Sequence, residues 1–387
     1  MSFFDQKSAL FITSPRDVTP FLNEELTGLG FPVQTEHAAG IETAGTLEDA
    51  MMLNLHLRTA QRVLYRIDEF RARDPEEMYR KVSKIPWERY CERDGYLCVT
   101  SRVDNPTIRD SRYAQVKCKD AVVDRFYRRF GRRPDSGPER RGTVIFLYWT
   151  QDTCVVYLDT SGESLSRRGY RKIPLAAPMQ ETLAAAVILA SRWNGGGHFI
   201  NPMCGSGTLA IEAALIALDK PPGLLRNNFG FMHIKGFRKS LWKDLCNRAN
   251  RKTKDALNGR IIASDINGTA VAAARKNAEM AGVDQYIDFG TCNFSETEVP
   301  PGTGVVMLNP EYGERMGDRD ALKDTYRGIG DFFKKRCSGY QGYIFTGNLE
   351  LAKHVGLRTK RRLPFYNGPI ECRLLEYDLY EGSNKKK

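Results

Sequence analysis

Apolar positions along the chain change period several times, and each change predicts an element. Ala9-Leu10-Phe11-Ile12-Thr13 is an apolar run of strand length, and Phe21-Leu22-Asn23-Glu24-Glu25-Leu26 follows with helical spacing. Residues 47–63 keep apolar positions at helical spacing and predict one long helix. Residues 120–129 predict another helix, preceded by 113–117 and followed by a strand over 143–147. Residues 131–142 combine glycine, proline and charge without a period, which predicts a loop. After a connector over 159–178, the pattern becomes strand and helix in alternation. His198-Phe199-Ile200 precedes the Ala/Leu-rich run 209–215, residues 260–264 precede a helix over 269–281, and Val305-Val306-Met307-Leu308 is a buried strand. The expected fold class is α/β: a Rossmann-like domain preceded by a smaller α+β region.

Three strand ends carry candidate chemistry, and in open α/β sheets ligands sit at the carboxyl ends of strands. The first is Asn201-Pro202-Met203-Cys204-Gly205-Ser206-Gly207-Thr208, where a Gly-x-Gly turn lets backbone approach a ligand closely or simply packs a helix on a strand. The second is Asp265, placed to accept the two hydroxyls of a ribose or to cap the helix that follows. It lies about sixty residues past the glycines, against roughly twenty in a plain dinucleotide unit. An insertion over 219–258, opened by Pro221-Pro222-Gly223 and rich in basic residues, accounts for the difference. The third is Asn309-Pro310-Glu311-Tyr312. An Asn carboxamide and the next carbonyl offer two acceptors for a planar exocyclic amine, with Tyr312 as a stacking face. A plain strand-to-turn junction would look the same.

Glycine turn, ribose acid and amine clamp in that order resemble an S-adenosylmethionine-dependent, amino-methylating enzyme. The resemblance narrows on Asn201–Thr208, on Asn309-Pro310-Glu311-Tyr312-Gly313-Glu314-Arg315 and on Ser166-Arg167-Arg168-Gly169-Tyr170-Arg171. It also rests on Ile85-Pro86-Trp87-Glu88, on Lys119-Asp120-Ala121-Val122-Val123-Asp124 and on Asn367-Gly368-Pro369-Ile370-Glu371-Cys372-Arg373. Together these resemble the THUMP-containing RNA guanine-N2-methyltransferases, most closely the bacterial large-subunit rRNA group, over nearly the whole chain. The resemblance implies a ferredoxin-like part over 1–50, a THUMP domain over 51–160 and a methyltransferase domain over 161–387. It implies catalytic roles for Asn309, Pro310 and Tyr312, and cofactor contacts from Asn201, Met203, Gly205, Gly207, Asp265, Ile266, Asn293 and Phe294. RNA contacts are expected from Lys117, Lys119, Arg128, Arg129, Arg132, Arg133, Arg167 and Arg168. The sequence departs from the family where Asn201 replaces an Asp and Glu311 replaces a Pro, and Asn293 stands where an Asp is common.

Charge sharpens the expected partner. Residues 1–50 carry 2 basic and 8 acidic residues, 51–150 carry 22 and 14, 151–260 carry 16 and 8, and 261–387 carry 18 and 17. Positive charge thus gathers mid-chain, as a polyanion substrate requires. Residues 125–133 hold five arginines and three aromatics. Such a run suits structured RNA, although Phe126 and Phe130, four apart, favour burial on one helix face. Nine cysteines without a Cys-x-x-Cys pair, and five scattered histidines, argue against a disulfide framework and a metal site. No apolar run reaches membrane length and the first residues do not form a signal peptide, so a cytoplasmic setting is expected. The amine clamp leaves an adenine or a tRNA target open, and a non-catalytic RNA-binding or assembly protein on this fold is the rival from another class.

Overall fold

The computed structural model describes residues 3–105, 108, 110–173, 179–312 and 319–380. It divides into two compact units that are not contiguous in sequence. The first is Met1–Ser14, Leu22–Leu165 and Arg226–Arg248, and the second is Pro15–Phe21, Ser166–Leu225 and Ala249–Lys387.

In chain order the first part contains β1 (Ser8–Thr13), α1 (Thr19–Gly28), β2 (Thr35–His37), β3 (Gly40–Gly45), α2 (Leu47–His56), β4 (Arg62–Arg71), α3 (Pro75–Val82), β5 (Tyr96–Asp104), α4 (Ser111–Phe130), β6 (Asp135–Ser136), β7 (Thr143–Thr150) and β8 (Thr153–Asp159). Their eight strands form one sheet in the order β2-β3-β1-β4-β8-β7-β5-β6. The join is the antiparallel pairing of β4 with β8. The expected long helix over 47–63 is therefore two elements. Thr46 and Asp49 form a capping box that starts α2, but the helix stops at His56. Beyond the C-cap Leu57, the backbone amides of Arg58 and Thr59 donate to the Glu25 carboxylate at 2.7 and 2.9 Å. Val63, Leu64 and Tyr65 are then buried in β4. The segments 113–117 and 120–129 are one helix, α4, and the expected loop 131–142 contains the short β6. Phe126 is buried, as its spacing suggested, but Phe130 is 40% exposed.

The later elements are α5 (Glu181–Ala190), β9 (His198–Pro202), α6 (Thr208–Ala217), α7 (Lys239–Lys252), β10 (Ile261–Asp265), α8 (Gly268–Ala281), β11 (Ile287–Thr291), β12 (Gly304–Leu308), α9 (Arg319–Arg336), β13 (Tyr340–Thr346), α10 (Leu349–Ala352), β14 (Arg361–Asn367) and β15 (Ile370–Asp378). Seven strands form a sheet in the order β11-β10-β9-β12-β13-β15-β14. The first five run parallel, and β15 and β14 close the edge antiparallel. Successive residues of these strands enter different cores. Phe199, Ile261, Val305 and Met307 join Ala and Leu residues of α5, α6 and α8. Ile200, Ile262, Val306 and Leu308 join Tyr326, Ile329, Phe332 and Phe333 of α9. A parallel sheet covered on both faces needs continuous apolar runs, which is why these strands read as unbroken hydrophobic stretches.

Candidate active site

Strand order reverses between β9 and β12, the place where an open parallel sheet leaves a crevice at its carboxyl ends. Asn201, the last residue but one of β9, is fully buried, and its Nδ2 donates to the Met307 carbonyl of β12 at 2.9 Å, tying the two strands together at the switch. Its Oδ1 is buried without a partner. The chain then turns through three left-handed residues, Met203, Gly205 and Gly207, with φ of 60°, 53° and 83°. The two glycines do different things. A Cβ on Gly207 would stand 2.8 Å from that of Ala274, so Gly207 lets α8 pack closely. A Cβ on Gly205 would meet nothing within 4 Å, so Gly205 leaves its approach open.

Asp265 braces this turn. One carboxylate oxygen accepts the Gly205 N–H at 2.9 Å and the other accepts the Asn267 N–H at 3.0 Å. Asn267 is the N-cap of α8, accepting from Thr269 at 2.9 Å, so the capping alternative for Asp265 does not hold. Ile266 is 72% exposed at this strand end. Asn293, after β11, caps its own short turn, with Oδ1 accepting from the N–H and hydroxyl of Ser295 at 3.0 and 2.8 Å. Phe294 is half-buried and packs edge-on against Phe332 at 6.3 Å.

At the end of β12, the Asn309 Oδ1 is also buried without a hydrogen-bond partner. Burying an amide oxygen unpaired costs about 1–3 kcal/mol, so such an atom at the carboxyl edge of a sheet is suited to accept a donor from a ligand. Pro310 is buried and Glu311 exposed. Tyr312 is held from three sides. Its hydroxyl accepts from Asn367 Nδ2 at 2.9 Å and faces the Cys372 thiol at 3.8 Å, while Phe345 meets its ring edge-on at 6.5 Å. Burial pushes its phenol up to about 12, so the ring is neutral across the physiological range. Gly313, Glu314 and Arg315 lie outside the described residues. Asn367 and Cys372 had no individual role in the sequence reading. The polar residue before a Gly-Pro hairpin turn was visible, but its partner 55 residues earlier was not.

Arg168 does not take the RNA-facing position expected of it. It is 1% exposed and forms a two-pronged pair with Glu212 of α6, at 2.8 and 3.1 Å, so it cannot reach RNA. The Tyr170 hydroxyl donates to the same carboxylate at 3.1 Å. Arg171 donates to Thr208, the first residue of α6, at 3.1 Å and to the Met179 carbonyl at 2.6 Å. Asn277 links the Lys172 amide to the Ser206 carbonyl in the glycine turn. This motif fixes the glycine turn and its helix from behind. Arg167 remains exposed. In the first unit Lys117 pairs with Glu76 at 2.6 Å and Lys119 with Asp120 at 2.9 Å, both with largely covered side chains. Arg129, Arg132 and Arg133 keep more than half of their side chains exposed while pairing with Glu88, Asp94 and Asp124. Arg128 is exposed beside the Asp124 carbonyl.

A doubly covered parallel sheet, an acid-braced glycine turn at its switch point and an amide acceptor on the adjoining strand define a Rossmann-like methyltransferase domain, here preceded by an α+β region. The chain belongs to the RMKL-like methyltransferase family, whose methyltransferase domain matches residues 168–376. The RlmL ferredoxin-like domain matches residues 9–64 and the THUMP domain residues 72–159. The Syntrophotalea carbinolica "Ribosomal RNA large subunit methyltransferase K/L" is 40% identical over 97% of this chain and 54% of its own length. The chain thus spans about half the length of the curated relatives of that name. A Synechocystis sp. protein, "Putative RNA methyltransferase slr0064", is 34% identical over 96% of both chains. Among solved structures, SMU.472 complexed with SAH superposes with a TM-score of 0.87 at 28% identity, covering 98% of this chain and 100% of the other. TrmN from Thermus thermophilus, at 16% identity and a TM-score of 0.68 over 96% of this chain and 100% of its own, shares the fold.

Proposed function

We propose that the chain is an S-adenosylmethionine-dependent RNA methyltransferase acting on the exocyclic 2-amino group of a guanosine in large-subunit rRNA. The observation that carries this reading is the buried, unpartnered Oδ1 of Asn309 at the topological switch. The names of the large-subunit rRNA relatives and the THUMP match support the RNA part. Cofactor residues follow from the same edge. Gly205 leaves room for close approach, the Asp265 carboxylate stands where ribose hydroxyls would be accepted, and Asn201 holds a second buried acceptor without a partner. Ile266 offers an exposed apolar surface for the adenine. With the Asn293 Oδ1 engaged by Ser295, its amide nitrogen is the group left to donate to the adenine edge. Met203, Gly207 and Phe294 shape the turn and wall. Bound there, S-adenosylmethionine supplies an already activated methyl group.

What this chain supplies is orientation. A guanine 2-amino group is a weak nucleophile because its lone pair is delocalised into the ring. Asn309 Oδ1 and the Pro310 carbonyl would each accept one amine hydrogen and so direct the lone pair out of the ring plane. Alignment of this sort is worth up to roughly 7–11 kcal/mol in the best cases. Tyr312, neutral and pinned by Asn367, would hold the base by stacking, and a base must leave its helix to reach it. Glu311 is exposed at the rim and makes no hydrogen bond among the described residues, in keeping with a clamp made by its neighbours. No helix of the described residues is long and apolar enough to cross a membrane, and they hold no group of three or more potential metal ligands. The proposed setting is cytoplasmic, without a metal.

The test is methyl transfer to in vitro-transcribed large-subunit rRNA, read by nucleoside analysis. Asn309→Ala should lower the single-turnover rate at least about a hundredfold, as loss of a preorganised polar contact does elsewhere, and Glu311→Pro should retain it. N2-methylguanosine is the expected product. Methylated adenosine, or full activity in Asn309→Ala, would refute the assignment.

A further inference from the structure

A stretch of chain from the amino-terminal part belongs to the methyltransferase unit. The stretch is Pro15–Phe21, and within it Arg16 lies over the ring of Tyr366, the residue before Asn367. The stretch is anchored at two points. Val18 is fully buried in the unit's core, and Phe21 stacks on Phe365 of β14 at 5.9 Å with 13° between planes. Between Ser14 and Val18 the chain makes a tight turn. The Val18 N–H donates to the Pro15 carbonyl at 3.2 Å, and Asp17 adopts a left-handed φ of 63°. Arg16 is the tip of that turn. Its guanidinium lies 4.4 Å from the centroid of the Tyr366 ring, with 68% of the side chain exposed. Its only ionic contact among the described residues is Nε to Asp17 at 3.9 Å, and its terminal nitrogens make no hydrogen bond to any of those residues.

Tyr366 precedes Asn367, the residue that holds the Tyr312 hydroxyl. On the other side of the same hairpin turn, Ile370 is 45% exposed. A Cβ on Gly347 would stand 2.8 Å from the Tyr312 ring and 2.9 Å from the Ile370 side chain, so clamp ring and hairpin tip meet at one point. The hairpin that supports the clamp therefore carries a planar cation on an aromatic ring, with most of the arginine side chain exposed.

We propose that Arg16, supported by Tyr366, contacts the RNA nucleotide next to the methylated one, stacking on its base and donating to its phosphate. The inference rests on the RNA-methyltransferase reading. An arginine fits because its flat guanidinium can stack and donate at once, which an ammonium cannot, and a nucleotide flanking an extruded base is unstacked on the side it left. Nothing about catalysis requires Arg16, so it is a substrate-contacting residue outside the clamp.

The experiment compares wild type, Arg16→Ala, Arg16→Lys and Tyr366→Leu on the same in vitro transcript. Readouts are KM for RNA, kcat, the Kd for S-adenosylmethionine by calorimetry and Tm. Losing one base-stacking contact predicts a rise of roughly tenfold in KM for Arg16→Ala, with kcat, cofactor Kd and Tm essentially unchanged. Arg16→Lys should recover only part of the loss, and Tyr366→Leu should resemble Arg16→Ala. An Arg16→Ala KM within about twofold of wild type would overturn the inference. So would a parallel loss of Tm and cofactor affinity, which would make Arg16 a structural staple. If wild type itself transfers no methyl group, the functional reading fails instead. Filter binding of the transcript by wild type and Arg16→Ala then decides the Arg16 contact by itself, a ratio near one overturning it.

Discussion

Arg129 and Arg168 are each the second arginine of an Arg-Arg pair with aromatics nearby, yet their surroundings are opposite. Arg129 keeps 57% of its side chain exposed while touching Glu88, whereas Arg168 is buried against a fully buried Glu212. The difference lies in the partner. Glu212 is on α6, inside the methyltransferase core, so Arg168 must be buried to neutralise it. The acids facing Arg129, Arg132 and Arg133 all keep some contact with water, Glu88 least at 15% and Asp94 most at 52%, so those arginines remain wet. The two arginine runs thus differ in setting: one braces the glycine turn from inside the core, and the other stays at the surface.

Breaking the buried pair should have the largest effect. Arg168→Ala leaves the Glu212 carboxylate uncompensated in the core, and should cost about 3–5 kcal/mol in denaturant-induced unfolding. Replacing both members with apolar residues, as Arg168→Met with Glu212→Leu, should restore most of that loss. A single variant that unfolds like wild type would mean the pair contributes nothing. At the other run, changing Arg128, Arg129, Arg132 and Arg133 together to Gln should move stability little, since exposed pairs contribute about 0–1 kcal/mol each. RNA binding should weaken, and the slope of log affinity against log salt should fall by roughly three to four. An unaltered slope would make this run merely a solvated face.

The smallest effect concerns acid. Bonds from Arg125 hold the Glu88 carboxyl down to about 2, against an ordinary 4.5. A depressed folded-state value gives stability that is complete above the unfolded pKa and lost as pH falls through the folded one. Glu88→Gln lacks this titration. The stability gap between wild type and variant should therefore be widest above about pH 5 and close toward about pH 2. A gap that stays constant with pH would assign the pair's contribution to hydrogen bonding alone.

The features legible in the sequence were those whose cause is local. Glycines that turn left, apolar runs that must be buried on both faces and an Asn-Pro turn ending a strand are each set by a few consecutive residues. They placed β9, β10 and β12 and the three strand ends that carry Asn201, Asp265 and Asn309. Residues 57–63 read as a continuation of the helix because apolar spacing alone does not tell a strand from a helix running past His56. The Glu25 carboxylate and the edge of β8 decided the matter.

What only the tertiary structure decided is which polar residues face each other. Arg168 meets a carboxylate 44 residues later, Asn367 meets a phenol 55 residues earlier, and Arg16 meets Tyr366 across almost the whole chain. No period or spacing encodes such pairs. A side chain's charge fixes what partner it needs, but whether that partner lies in water or in the core depends on the packing of distant elements. Burial in turn determines whether an arginine braces a fold or binds a nucleic acid.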